Sequence, residues 1–355
     1  MAVMMQTDDY EGTTPVETLS EPTVRPELKK ALDAQFAESA LKYGEVYRSV
    51  YSRDASYYEY YPEAVVRMSS PEDVEKILKI AHDQSSPVTF RAGGTSLSGQ
   101  SIGNGIIADL RLAFKGAEVR EDGAKIWFEP GLTVDKINHM LAPRLRKIGP
   151  DPASSRAAML GGVLNNNSSG MQAGVEHNSY HTLASIEFIL ANGHRYDTAK
   201  REDRQRFATA DKDIHDGLAA LRDEVRADAD LVAKIRRKYQ IKNVTGYALN
   251  SFLDFDEPID ILAHVLIGSE GTLAFVASAV LNTVQLDTVS IQRAAVLQVR
   301  SRRRRGGCAV VRIRGRRHRA HGSAVAALGN RTPRRARHRG NPPRGLRVAS
   351  GRLSI

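Results

Sequence analysis

The chain has 355 residues and a formal charge of +10, a balance that would by itself suggest a polyanion-binding protein. The charge is unevenly spread: residues 300–355 hold 18 arginines and no Lys, Asp or Glu, so without them residues 1–299 stand at −8. The single cysteine, Cys308, excludes an internal disulfide framework and any four-cysteine metal or iron–sulfur site in this chain, and the length and apolar content suit two subdomains or one large α+β domain.

Met1 to Glu27 is acidic, lacks an apolar core of signal-peptide length, and is followed by no run long enough to cross a membrane. A cytoplasmic protein with a frayed start is expected. From Pro26 to about Tyr47 the spacing of Leu28, Leu32, Phe36, Leu41 and Val46 predicts a helix. Tyr47, Tyr51, Tyr57, Tyr58, Tyr60 and Tyr61 follow, either an aromatic surface packed under a loop or a ligand contact.

Val65 and Val66 suit a short strand, and Ser70-Pro71-Glu72-Asp73 opens a helix with a hydroxyl cap, a first-turn proline and two acids. Pro87 to Arg91 then reads as a strand that empties into Ala92-Gly93-Gly94-Thr95-Ser96-Leu97-Ser98-Gly99-Gln100. Glycines that let the backbone approach closely, beside hydroxyl donors and peptide N–H groups, make either a plain turn or a cradle for phosphate. No helix opens from this loop; Ile106 to Leu110 reads as another strand, which argues against a dinucleotide fold of the Rossmann type.

Residues 117–130 alternate as meander strands, and Thr133 caps a helix carrying Val134, Ile137 and Leu141. The stretch from Pro150 to Gly170 contains Gly161-Gly162 and Asn165-Asn166-Asn167-Ser168-Ser169, too polar for a core. It is either an exposed loop or a wall of amides and hydroxyls facing a polar ligand. Leu183 to Leu190 and His194 to Asp197 form a hairpin turned at Asn192-Gly193, and residues 200–240 read as a solvated helical excursion. Thr245-Gly246-Tyr247 and the turn Gly268-Ser269-Glu270-Gly271, which feeds a strand, close the patterned part. His177 and His181 lie four apart in a loop with no helix to align them, so no metal site is expected there.

Beyond Val299 the chain loses aromatics, lysines, acids and periodicity. It reads either as a basic arm that binds nucleic-acid backbones or as the product of a frameshift in a GC-rich gene, since Arg, Ala, Gly and Pro have GC-rich codons. We favour the frameshift, expect a disordered tail over 300–355, and expect no specific nucleic-acid partner. The two alternative reading frames of the DNA test this: if neither continues a globular pattern, the frameshift idea fails.

In this order and spacing, the loop from Arg91 to Gln100, the segment from Pro150 to Gly170, and Thr245-Gly246-Tyr247 followed by Gly268 to Leu273 resemble the FAD-binding domain of the vanillyl-alcohol oxidase, or PCMH, type. The likeness is strongest to the FAD-linked D-lactate, glycolate and D-2-hydroxyglutarate dehydrogenases, especially large bacterial members with an iron–sulfur region. The resemblance implies an α+β fold in which residues 45–290 form two α/β subdomains, about 45–112 and 113–290, with FAD between them, after an N-terminal extension over 1–44.

It further implies that Arg91, Gly93, Gly94, Thr95, Ser96, Leu97 and Ser98 hold the pyrophosphate. Pro150, Ser154, Gly161, Gly162, Asn165 and Ser168 would line the ribityl and isoalloxazine region, and Glu270 with Gly271 the adenosine end. Several relatives tether flavin through a histidine after the paired glycines; Thr95 stands there, so FAD is expected to be non-covalent. Lys242, Thr245 and Tyr247 become candidates for gripping a substrate carboxylate, with Lys242 as a plain exposed cation the other reading.

A cap domain with a metal-bound substrate site and cysteine clusters is expected only in a full-length relative. Catalytic residues are therefore left unassigned, and how much turnover this chain supports is open. The expected reaction is FAD-dependent oxidation of a D-2-hydroxy acid. The alternatives are an alditol or aromatic-alcohol oxidase of the same fold and a non-catalytic flavin- or nucleic-acid-binding module. The electron acceptor is open, as is peripheral membrane association.

Overall fold

A computed structural model describes residues 23–286. The arginine-rich tail, its start near Val299 and most of the acidic N-terminal segment lie outside these residues. The first layer contains α1 (Pro26–Gln35), β1 (Leu41–Lys42), α2 (Glu45–Tyr51), β2 (Ala64–Arg67), α3 (Pro71–Asp83), β3 (Val88–Arg91) and β4 (Ile106–Asp109). Its sheet runs β1-β2-β4-β3, with β2 and β3 both parallel to β4 and β1 antiparallel at the edge. All four residues of β4 are buried, as a central parallel strand covered on both faces requires.

The α3 start follows its signals: the Ser70 side chain accepts from the Asp73 N–H, Pro71 opens the first turn, and Val74, Ile77, Ile80 and Ala81 face the core. The single helix expected over Pro26 to Tyr47 is broken. Phe36 takes extended backbone (φ −122°), and Leu41 and Lys42 instead pair with Val66 and Val65, satisfying the edge of β2. The tyrosine segment is also corrected: Tyr51 is buried, but Tyr47, Tyr57, Tyr58 and Tyr60 are exposed rather than packed under a loop.

The second layer contains β5 (Ala117–Arg120), β6 (Lys125–Phe128), α4 (Val134–Leu141), β7 (Arg146–Ile148), α5 (Leu160–Asn166), α6 (Ser179–Thr182), β8 (Leu183–Leu190), β9 (Arg195–Asp197), α7 (Arg201–Ala210), α8 (Lys212–Ala227), α9 (Ala229–Lys238), α10 (Ser251–Asp254), α11 (Pro258–Leu266) and β10 (Ala274–Gln285). These strands form an antiparallel sheet in the order β5-β6-β10-β8-β9, with β7 also on β10. One face of β8 and β10, through Ile186, Phe188, Val276 and Leu281, packs with Ile137, Leu160, Leu164 and Leu266 from α4, α5 and α11. The excursion over α7 to α9 is helical and mostly solvated, although Leu218 and Val225 rest on Phe252, Ile261 and Val265.

The opposite face of β8 and β10 meets the first layer. Ile189, Phe275 and Ala277 join the cluster of Val66, Ile106 and Ile77, and the Phe275 ring lies 4.7 Å from that of Phe90 and 5.7 Å from that of Phe114. Aromatic contacts of this kind bury large apolar areas and fix ring orientation. At the rim, Arg195 bonds Glu72 of α3 (3.3 Å) and Glu187 of β8 (2.7 Å). Among the described residues, no helix is long and apolar enough to cross a membrane.

Candidate functional site

The β3–β4 connection crosses between two adjacent parallel strands without a helix, so it must turn within its own backbone. Gly94 (φ +64°) and Gly99 (φ +83°) take left-handed conformations that glycine adopts without a Cβ penalty. Leu97 is 77% exposed at the tip and Ser98 is exposed beside it. The Ser96 hydroxyl is turned inward, accepting from the N–H groups of Ser98 (3.1 Å) and Gln100 (3.3 Å) and bonding the Gln100 side chain. Ser96 thus shapes the loop with the hydroxyl expected to face a ligand.

Arg91 ends β3 under this loop and is buried, donating to the backbone carbonyls of Tyr51, Arg53 and Ser101. Beside it, Asp109 is buried against the Tyr51 hydroxyl and Arg111. Burial alone would raise the Asp109 carboxyl, but hydrogen bonds from Arg111 and Tyr51 outweigh it and hold the pKa below the ordinary value. Asp109 did not stand out in sequence, and Tyr51 did so only as one of the clustered tyrosines. A carboxylate closing the otherwise apolar Ile106-Ile107-Ala108 run was the available signal.

The segment from Pro150 to Gly170 lies against the loop: a Cβ on Gly93 would come 2.4 Å from the Ala157 carbonyl oxygen. Neither expected form, exposed loop or amide wall, describes it fully, because Leu160 to Asn166 is the helix α5 with Leu160, Gly161, Val163 and Leu164 buried. Its pair of glycines divides the work. Gly161 touches Pro130, where a Cβ would approach Pro130 Cβ to 2.7 Å, whereas nothing lies within 4 Å of the Cβ position of exposed Gly162. Pro150 is buried and Ser154 is exposed at the head of the segment, where its carbonyl accepts from Ala157 and Ala158 N–H.

The turn after α11 stitches onto the end of α5. Gly268 N–H donates to Leu164 O (3.0 Å), Glu270 N–H to Asn165 O (2.8 Å), and Asn166 Nδ2 to Glu270 Oε1 (2.6 Å). Ser168 Oγ completes the chain by donating to Asn166 Oδ1. Three residues of this turn have positive φ, Gly268 (+90°), Glu270 (+57°) and Gly271 (+75°); for glutamate this conformation is strained and is held by the stitches just described. Burial raises the Glu270 carboxyl pKa against the opposing Asn166 bond. Within this cluster Asn165 Oδ1, Ser169 Oγ and Ser269 Oγ are buried with no partner. In sequence both serines stood only within their polar stretches and were not singled out, because orphan status exists only once burial is known.

Lys242 Nζ donates to Gly170 O (3.0 Å) and the Tyr247 hydroxyl bonds Thr272 Oγ1 (2.9 Å), so both sit beside the cluster; Thr245 is exposed. A small recess opens behind the same segment, lined by residues that include Asn167, Asn178, His181, Asn243, Gly246 and Asn250 but none of those three candidates. His181 lies in the one-turn α6, a correction to the loop expected there, and its Nδ1 pairs with Asn178 Oδ1 at 3.0 Å. Among the described residues, no group of three or more His, Cys, Asp or Glu could hold a metal ion.

A family model described as an FAD binding domain matches residues 62–199, which include the loop and the Pro150–Gly170 segment. The chain is similar to D-2-hydroxyglutarate dehydrogenase of Haemophilus influenzae, 32% identical over 246 residues, covering 64% of this chain and 23% of that protein. It is 29% identical to D-2-hydroxyglutarate dehydrogenase of Escherichia coli K12, covering 68% and 24%. With glycolate oxidase subunit GlcD of Bacillus subtilis it shares 25% identity, covering 67% and 40%. The chain therefore spans about a quarter of the length of the D-2-hydroxyglutarate dehydrogenases it matches. Among solved structures, alkyldihydroxyacetonephosphate synthase has the same fold, with a TM-score of 0.51 at 18% identity over 76% of this chain and 43% of that one.

Proposed function

We propose, from the FAD binding domain that residues 62–199 carry, that this chain is the flavin-holding portion of an FAD-dependent dehydrogenase of D-2-hydroxy acids. Residues 45–290 are its FAD-binding domain, with subdomains of about 45–112 and 113–290, and α1 and β1, expected as part of an N-terminal extension, complete the sheet and core of the first. One observation carries the reading: three motifs far apart in sequence meet in one seam, Gly93 against Ala157 and Asn165 with Asn166 against the Gly268–Glu270 turn.

The residues present fit FAD. Orphaned Asn165 Oδ1, Ser169 Oγ and Ser269 Oγ match a ligand rich in hydroxyl, amide and phosphate groups, and the open faces of Gly162 and Gly271 leave room for its body. In this reading the N–H groups of Gly93 to Leu97 meet the pyrophosphate, with Ser98 N–H held by the Ser96 hydroxyl, Asn165 and Ser168 the ribityl and ring region, and Glu270 and Gly271 the adenosine end. Glu270 bonds Asn166 directly, so the last two assignments concern adjoining residues. Thr95 offers no nitrogen for a flavin bond, and the cofactor is non-covalent.

Bound FAD supplies the acceptor for a hydride from the substrate C2–H. Lys242, already fixed on Gly170 O, keeps N–H donors for a substrate carboxylate, and Thr245 and Tyr247 follow it in the chain as further candidates. The base that takes the hydroxyl proton, a divalent metal and iron–sulfur clusters belong to the longer relatives in this reading.

The test is anaerobic titration of the purified, FAD-loaded protein with D-lactate, glycolate, D-2-hydroxyglutarate, an alditol and an aromatic alcohol. Slow bleaching of the flavin absorption by a D-2-hydroxy acid, without the base that the longer relatives supply, is expected. Bleaching by the alditol or aromatic alcohol instead would move the chain to another oxidase of the fold, and failure to retain FAD would reject the proposal outright.

A further inference from the structure

Arg91 is the one charged side chain that the resemblance assigns to the pyrophosphate loop, and its surroundings point to another task. It is 8% exposed although a single residue away from the loop. Nη1 donates to Tyr51 O (3.3 Å) and Ser101 O (3.2 Å), and Nη2 to Arg53 O (2.7 Å). Those carbonyls belong to two separate strips of backbone, the end of α2 and the far end of the loop. Gly94 rests directly on the guanidinium, since a Cβ there would lie 2.8 Å from Nη2.

A second set of ties joins the same strips. Ser101 Oγ donates to Asp54 Oδ2 (2.9 Å), Ser56 N–H to Asp54 Oδ1 (2.8 Å), and Ala55 N–H to Gly94 O (3.2 Å). The Tyr51 ring adds a wall, with the Arg91 and Arg111 guanidinium carbons 5.4 and 4.8 Å from its centre. Three carbonyl acceptors from two strips need a planar, multi-donor cation, which lysine cannot replace.

We infer that Arg91 is the positioning residue of the loop, clamping its entry, its exit and the Tyr51–Ser56 strip into one unit, so that the loop N–H groups rather than the Arg91 guanidinium face the pyrophosphate. This rests on the FAD reading above for its ligand. The clamp itself does not.

The experiment compares the wild type with Arg91→Lys and Arg91→Met. Hydrogen exchange of the amides of residues 94–101 in flavin-free protein is expected to quicken about tenfold in both variants, because lysine reaches one carbonyl where arginine holds three. FAD affinity is expected to fall about tenfold in both, with the dependence of log affinity on log salt kept at the wild-type slope. A lysine variant with wild-type exchange and affinity, or a methionine variant with a shallower salt slope, would overturn the inference by making Arg91 a phosphate ligand. If Arg91→Met does not fold, the lysine variant decides alone. If even the wild type binds no FAD, the proposed function falls, while the exchange rates still judge the clamp.

Discussion

Glu270 combines a strained backbone, a half-buried carboxyl and a stitch to Asn166. Burial raises its pKa, so the folded protein prefers the protonated form and ionisation costs stability. That cost is absent below the unfolded value of about 4.3, grows as pH rises through it toward the higher folded value, and is constant above. Glu270→Gln should therefore melt higher than wild type in flavin-free protein at pH 7, with the gap closing below about pH 4; a variant that melts lower at pH 7 refutes the burial argument. Gly162 supplies a sharper probe of the ligand. Nothing lies within 4 Å of its Cβ position, so Gly162→Ala should leave the flavin-free fold as stable or up to about 1 kcal/mol more stable. Its FAD affinity should nevertheless drop at least tenfold by titration calorimetry, and unchanged affinity would take the flavin off α5. Sequence named both residues through motif spacing, but which glycine packs on Pro130 and which stays open depends on helix phase. Arg91 shows the same limit: its type and place were legible, its three carbonyl partners were not.

Elements with strong local signals were legible: the capped α3, the buried β4 and the hairpin turned at Asn192-Gly193. Those set by tertiary pairing were not. The helix α5 carries two glycines and ends in asparagines, a sequence of poor intrinsic propensity, and it stands because Gly161 N–H bonds Pro130 O, Gly268 N–H bonds Leu164 O, and its apolar side is buried. The β8–β9 hairpin shows a tertiary pin of another kind. Asp211, between α7 and α8, accepts from Asn192 Nδ2 (2.6 Å), His194 Nδ1 (2.9 Å) and the Tyr196 hydroxyl. Burial would raise its pKa, yet these bonds hold it below the ordinary carboxylate value. Its stabilising contribution is complete above the unfolded value of about 3.9 and is lost as pH falls through the lower folded value. Asp211→Asn should cost about 1–3 kcal/mol in urea unfolding at pH 7, with the difference from wild type shrinking below about pH 4. A difference that stays the same at acidic pH would show that the carboxylate charge is not what holds the hairpin.

At the scale of the whole molecule, the motifs that meet in the seam come from both layers, and the Phe90–Phe114–Phe275 contact joins those layers. Truncating Phe275, which is 4% exposed, removes a ring shared by both sheets and should cost about 3–5 kcal/mol. It should also loosen the register between Gly93 and Ala157, since these lie on opposite sides of the junction. FAD that binds only the folded form stabilises by mass action, by about 2.7 kcal/mol at a hundredfold excess over Kd. If the seam is the flavin site, Phe275→Ala should melt lower than wild type without FAD, bind FAD more weakly, and regain part of its lost melting temperature as FAD is added. The wild type should show one calorimetric transition that FAD moves upward as a unit, because a ligand gripping both layers couples their unfolding. FAD that raises the melting of wild type and Phe275→Ala equally, with equal affinity, would mean that one layer alone holds the flavin. The seam would then be a structural joint and not the binding site.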